Sequence, residues 1–513
     1  MKKSFIYFFS LLTIFSVYSC GDLEEEVYND TLSANFYETE DEILGAYMRP
    51  WAHLLFVQSY TLCKLQMLST DMAAWTTKAN SGHGYDGNVW YDLHTHTWGT
   101  NHSVIDGAWG DVWKGVAFCN NVIDGVESAD FTGMTLSQTE LISQMRALRA
   151  LFYYYALDFW GNVPIVTEVG KPLYPETRSR EEVYRFVEKE LIDAIEGLPA
   201  KGKGITYGYF SKSAGYALLS RLYLNSEVFV GVQEYQKCLD ACDAIEKLGN
   251  YQLDDQWQQP FAIDNDKSVE NMFALINDNG STWSIPMGMF TLHWAHNKTY
   301  EFPLSCWNGI VTLEKFYESY NEQDARRDQF LVGPQFEANG DPLMHREDLE
   351  YAEHVILSKE LTTFRSVSHM EGARNLKYPL SVNANWNRME NDLVFIRYTE
   401  VLMNKAEALM RLNNGTASTE SVALVNQIRK RAFGVNYEAN KYTTSSLTLT
   451  ELLAERGREF AYEGHRRTDL IRFGKYTDKR WEKETVSDDY RCLYPIPFNH
   501  IELNPNLKQN PGY

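Results

Sequence analysis

Three groups of residues in this 513-residue chain have types and spacings that could do chemistry. Glu455, Glu459 and Glu463 recur every fourth residue and so share one helical stripe, with Arg456, Arg458 and Arg466 close by. Two carboxyl groups about 5 to 9.5 Å apart across an open cleft can hydrolyse a glycosidic bond. Carboxylates interleaved with arginines instead form mutually satisfied ion pairs, and this spacing favours such a lock over acid/base catalysis. His94-x-His96, with His83, His102 and Asp92 nearby, has the atoms a zinc ion takes. The spacing matches no standard zinc site, and hydrogen-bonding histidines are the expectation. Asp264-x-Asp266-x-Ser268 opens like a calcium loop, but Val269 and Leu275 stand where the sixth-position Gly and twelfth-position Glu belong. No metal site is assigned, and nothing in the chain calls for a cofactor.

The aromatic residues are more informative. The chain holds 13 Trp and 32 Tyr, and Trp75, Trp90, Trp98, Trp283, Trp294 and Trp307 fall in two stretches without helical periodicity. A pyranose presents an apolar C–H face to an aromatic ring while its hydroxyls need amide or carboxylate partners. Trp and Tyr among Asn and Asp therefore suit sugar binding. Each such Trp has the alternative of capping the helical core, so the expectation is at least one exposed aromatic patch.

These residues need a frame, and the sequence reads as mainly α. Leu141, Met145, Leu148, Phe152, Tyr155 and Phe159 alternate gaps of four and three, which places them on one helical face. Ala147, Leu151, Tyr154 and Leu157 fill most of the remaining circumference, so this helix is expected to be enclosed on nearly all sides. Gly161 and Pro164 end it. Helical periods also run from Ser33 to Leu68, Trp109 to Val126 and Glu182 to Leu198. Three pairs follow: Ser213–Leu224 with Gln233–Leu248, Arg397–Leu412 with Glu420–Phe433, and Thr450–Tyr462 with Arg467–Phe473. Their spacing is close to that of tetratricopeptide repeats, and Ala214, Ala217, Ala406 and Ala408 would let the helices approach closely. The first irregular region spans Ser69 to Asn101; the second, Tyr251 to Leu393, is expected to be loops and short strands laid on the helical frame.

Composition narrows the partners. A net charge of -21 without a basic cluster speaks against nucleic acid or an anionic membrane surface. The apolar run from Phe5 to Val17 follows Lys2 and Lys3 and is too short to span a bilayer, for which a helix needs about 20 residues; it reads as a signal peptide. Seven scattered cysteines suggest no disulfide framework.

Four segments carry a resemblance. Val17-Tyr18-Ser19-Cys20 is similar to a bacterial lipobox, and the acidic tract Asp22 to Glu26 follows it. The central helix runs into Gly161-Asn162-Val163-Pro164. Glu455 to Gly474 resembles an ER-x-x-E-x-x-x-EG-x-R-x-x-DL-x-R-x-G block, and Pro495-Ile496-Pro497 leads to Asn510-Pro511-Gly512-Tyr513. In this order they resemble the SusD/RagB family of nutrient-capturing lipoproteins of Bacteroidetes. The resemblance implies a signal peptide (1–19), a lipidated Cys20 with an acidic tether (20–32), and N- and C-terminal regions (33–250 and 251–513) packed as one body. The same acidic tract is equally compatible with a plain solvated tether. The resemblance further implies a non-catalytic glycan-binding protein, anchored to the outer membrane and facing outward, which serves a SusC-like TonB-dependent barrel in oligosaccharide uptake. Family members place their ligand site on such loops, and Asp71, Trp98, Asn101, Trp294 and Tyr300 are the candidate ligand-binding residues. The rival readings are a glycoside hydrolase of the same locus and a peptide-binding or helical-repeat scaffold lipoprotein.

Overall fold

The structure, a computed structural model, describes residues 37–201, 207–277, 287–345, 352–380 and 389–513. Cys20, the signal peptide, the tether and Trp283 lie outside the described residues. The helical pattern expected from Ser33 is α1 (Glu40–Val57), capped by Thr39 and Glu42 in a reciprocal capping box. It passes through a π turn (Gln58–Leu62) into a short helix (Cys63–Met67). One expectation needs correction: the first irregular region contains a helix, α2 (Val89–Thr95), too short and too closely bounded by left-handed Asn88 and His96 to show a period.

Next come α3 (Ser103–Ser128) and the central α4 (Gln138–Phe159), in which every residue from Ala147 to Phe159 is buried, as the filled circumference predicts. The close approach of α3 to α4 depends on Gly115, where a Cβ would lie 2.3 Å from the Phe152 ring. Gly161, at φ 72°, turns the chain out of α4. Then α5 (Arg180–Gly197), α6 (Lys212–Leu224), α7 (Tyr235–Leu248), α8 (Tyr398–Leu412), α9 (Thr419–Phe433), α10 (Leu449–Glu459) and α11 (Arg466–Arg472) complete the frame. Each of α3 to α8 packs on the next, and α8 also meets α10, so the pairs read from the sequence form a continuous helical stack.

Strands are short and join the two irregular regions. β1 (Ala73–Trp75) pairs antiparallel with β4 (Ile310–Thr312), while β2 (Thr77–Lys78) runs parallel to β5 (Arg365–Val367). β3 (Asn271–Leu275) pairs with β6 (Leu393–Arg397), which leads directly into α8. The six cysteines described are free thiols, five of them buried.

Candidate functional site

Glu455 and Glu459 of α10 face inward; the helix ends at Glu459, so Glu463 stands in the turn beyond it rather than on the same helical stripe. Glu459 accepts from Arg326 at 2.8 Å, Arg397 at 2.8 Å and Arg431 at 2.9 Å, and Glu455 from Arg326 at 2.9 Å and Arg429 at 2.6 Å. Glu463 pairs with Arg397 and with the buried Lys377. Glu455 and Glu459 are almost wholly removed from solvent. Burial alone would raise the Glu459 carboxyl, but the surrounding guanidiniums of Arg397, Arg431 and Arg326 hold it well below the usual carboxylate range. Glu455 and Glu459, so engaged, are neither proton donors near neutral pH nor reachable by a sugar, and with Glu463 they lock the last repeat onto β6 and the second irregular region.

His94 and His96 are buried hydrogen-bonding residues, on the carbonyls of Trp481 at 2.6 Å and Ser69 at 2.9 Å. Burial and the nearby Arg480 push the His94 imidazole down to about 3, so it is neutral at physiological pH. Asp264 pairs with Lys267 at 3.0 Å. Among the described residues no group of three or more His, Cys, Asp or Glu side chains is placed to share a metal ion.

The nominated ligand residues fall in three places. Trp98 is a correction: it is 1% exposed, because the C-terminal tail closes over it. Its Nε1 donates to the Tyr513 hydroxyl at 2.7 Å, and its ring packs 5.0 Å from both Tyr494 and His96. A ring enclosed in this way offers no face to a sugar. Trp75 and Trp90 are likewise interior, stacked on each other at 4.6 Å and 6°. Asn101 is exposed just before α3. Asp71 sits in a separate cleft, gripped by Arg466 through two bonds of 2.7 Å.

Trp294 and Tyr300 come together in the second irregular region. Trp294 is half-buried and stacks on His345 at 4.9 Å and 17°, with His369 at 4.3 Å and His293 at 5.0 Å. His296 continues the cluster to Tyr300, 6.3 Å from each of His293 and Tyr300. The first irregular region supplies the support: His369 Nε2 lies 3.1 Å from the Ala79 carbonyl, and the Ala79 amide donates to Val367 at 2.8 Å. Behind it, the buried Arg374 donates to Asn308 Oδ1 at 2.9 Å and to the His369 carbonyl at 2.8 Å. Burial lowers His296 and His369 to about 4, so both rings are uncharged near neutral pH. The result is a half-buried indole among imidazoles, with His293 and His369 held uncharged beside it, an arrangement suited to a hydroxylated ring. The sequence reading found the two aromatics but missed His345, His369 and Asn308, which are separated in the chain and carry no local pattern.

Comparisons with known proteins agree on one family. A model described as "SusD family" matches residues 257–513, and one described as "Starch-binding associating with outer membrane" matches residues 23–224. The starch-binding protein SusD of Bacteroides thetaiotaomicron is 26% identical over 436 residues, covering 74% of each chain. The SusD-like protein P2 of Formosa agariphila is 23% identical and covers 100% of both chains. Among solved structures, surface glycan-binding protein A from Bacteroides thetaiotaomicron in complex with laminarihexaose superposes with a TM-score of 0.72 at 19% identity, covering 92% of this chain and 99% of that one. With one family model spanning half the sequence and the fold shared over nearly all of it, the chain belongs to the SusD family.

Proposed function

We propose that this protein captures an oligosaccharide at the cell surface without turning it over and delivers it to a SusC-like TonB-dependent barrel. The observation that carries the reading is the half-buried Trp294 with its imidazole neighbours, displayed where the two irregular regions meet on the helical frame. Relatives whose names declare starch or laminarihexaose binding support a glycan as the ligand class. The engagement of Glu455, Glu459 and Glu463 in buried ion pairs argues against the hydrolase reading.

Isothermal titration against a panel of neutral oligosaccharides tests this. Trp294→Ala is expected to remove roughly 1 to 3 kcal/mol of binding, a factor of about 5 to 150 in affinity, with little change in melting temperature. Hydrolysis of a panel member at a rate abolished by one carboxylate substitution would overturn the reading. For the partner, co-purification from native outer membranes should recover a large barrel; recovery without one counts against delivery.

Membrane association is assigned to the lipid on Cys20. No helix of the described residues is long and apolar enough to cross a bilayer. Several acyl chains on one cysteine give stable anchoring, since each buried methylene adds about 0.8 kcal/mol. Cys20→Ala is therefore expected to move the protein from membrane to soluble fractions in cells lacking the barrel, and membrane retention through a carbonate wash would refute the anchor.

A further inference from the structure

In a chain of net charge -21, the segment Lys475 to Lys483 places Lys475, Lys479, Arg480 and Lys483 close together. Lys479 and Arg480 form a wall of a cleft with two lobes, one on either side of the Asp71–Arg466 pair. The larger, about 520 Å³, reaches Leu453, Leu470 and Phe473. The smaller, about 320 Å³, is bounded by Leu313, Lys315, Phe316 and Trp481. Both volumes lie within the range of roughly 300 to 1,000 Å³ common for small-molecule sites. By contrast, the cavity beside Gln58 and Tyr378, about 50 Å³, holds a few waters and no sugar ring.

Among the described residues, the carboxylates lining this cleft do not balance its positive charge. Asp71 is engaged by Arg466, and Glu407 pairs with both Arg411 and Arg472. Glu314, on the rim of the smaller lobe, lies 3.7 Å from Lys359, which also pairs with Glu318, and Asp478 faces Lys475 at 3.4 Å. Arg480 differs from these arginines. Its Nη atoms donate to the carbonyls of Ser69, His94 and Tyr476, beside the His96 ring, and no carboxylate stands within ion-pair distance among the described residues. Its Nε is buried with no hydrogen-bond partner among the described residues. Behind it, the buried Lys483 ammonium donates to the carbonyls of Thr477, Asp478 and Thr485. Burial lowers Arg480 to about 10, and burial with Arg480 beside it lowers Lys483 to about 8, as expected for cations in want of a counter-charge. Lys315 and Lys479 are exposed on the walls and make no ion pair among the described residues.

We propose that this cleft binds the carboxylate or sulfate group of an acidic oligosaccharide, with Lys315, Lys479 and Arg480 as counter-charges and Trp481 and Phe473 as apolar walls for the sugar faces. The proposal rests on the glycan-capture reading and assigns it a second contact region, apart from Trp294, with selectivity for charge.

Titration calorimetry of the full chain in detergent tests it with three probes: trigalacturonate for the carboxylate, a κ-carrageenan tetrasaccharide for the sulfate, and a neutral maltohexaose control. Because Arg480 supports several carbonyls, its substitution risks misfolding. The variant is therefore the exposed pair Lys315→Glu/Lys479→Glu, with the melting temperature measured alongside. One acidic probe or both should bind, with affinity falling as salt rises and weakening about tenfold or more in the variant, while any neutral binding stays unchanged. Which probe binds assigns the group. Failure of both acidic probes to bind at millimolar concentration, or equal binding by the charge-reversed protein, overturns the proposal. The neutral panel decides the capture reading separately, since Trp294→Ala leaves this cleft intact.

Discussion

Replacing Glu459 by Ala is expected to destabilise the protein by about 3 to 5 kcal/mol, the cost of removing one partner from a buried ionic cluster. The three guanidiniums of Arg326, Arg397 and Arg431 converge on this carboxylate with 6% or less of their side chains exposed, so none can turn to water instead. Of their other partners, Glu455 is shared between Arg326 and Arg429, Glu270 between Arg397 and Arg431, and Glu463 between Arg397 and Lys377, while Asp324 pairs with Arg326. Urea unfolding measures the loss; a midpoint within error of the parent would show that the cluster does not lock the repeat. The same cluster fixes the sign of the acid response. Glu270, Glu407, Glu455, Glu459 and Asp469 are all held below their ordinary values by neighbouring arginines against the opposing effect of burial. Folded values below unfolded ones of about 4 mean stability that is fully present above that pH and lost as pH falls through the folded values. Glu459→Ala should therefore also flatten the acid limb of the stability profile.

How far the sequence foretold this molecule depends on the range of the interaction concerned. Helices announce themselves within a few residues, and the alternating threes and fours from Leu141 to Phe159 placed the most buried helix of the frame. The ion-pair lock of Glu455, Glu459 and Glu463 was legible, and of the arginines read beside it Arg458 does pair with Glu455 at 2.6 Å, but Arg326, Arg397 and Lys377 lie 60 or more residues away and are brought in by β6 and its neighbours. Helix α2 escaped notice because seven residues between two left-handed turns hold barely two periods. For the tryptophans the limit was sharper. Residue type says that an indole suits a sugar, whereas the exposure that lets it act is set by distant chain. Trp294 and Trp98 look alike in sequence; one is left half-open among His345 and His369, and the other is covered by Tyr494 and Tyr513.

That difference makes Trp98 the site of the other large effect. Trp98→Ala should cost about 3 to 5 kcal/mol of stability, because the surrounding Tyr494, His96 and Tyr513 cannot collapse fully into the space an indole leaves. Part of the loss comes from the tail. The Tyr513 hydroxyl accepts from Trp98 and donates to the Leu493 carbonyl at 2.6 Å, while Arg491 donates to the Trp98 carbonyl. Tyr513→Phe removes only these hydroxyl bonds and keeps the ring, so it should cost nearer 1 kcal/mol, plus the penalty of a buried indole N–H left without a partner. Glycan affinity per folded molecule should be unchanged in both variants, since neither residue touches the Trp294 cluster. Measuring melting temperature and affinity on the same samples separates the two roles: a stable Trp98→Ala protein that has lost affinity would return Trp98 to the binding surface and remove it from the core.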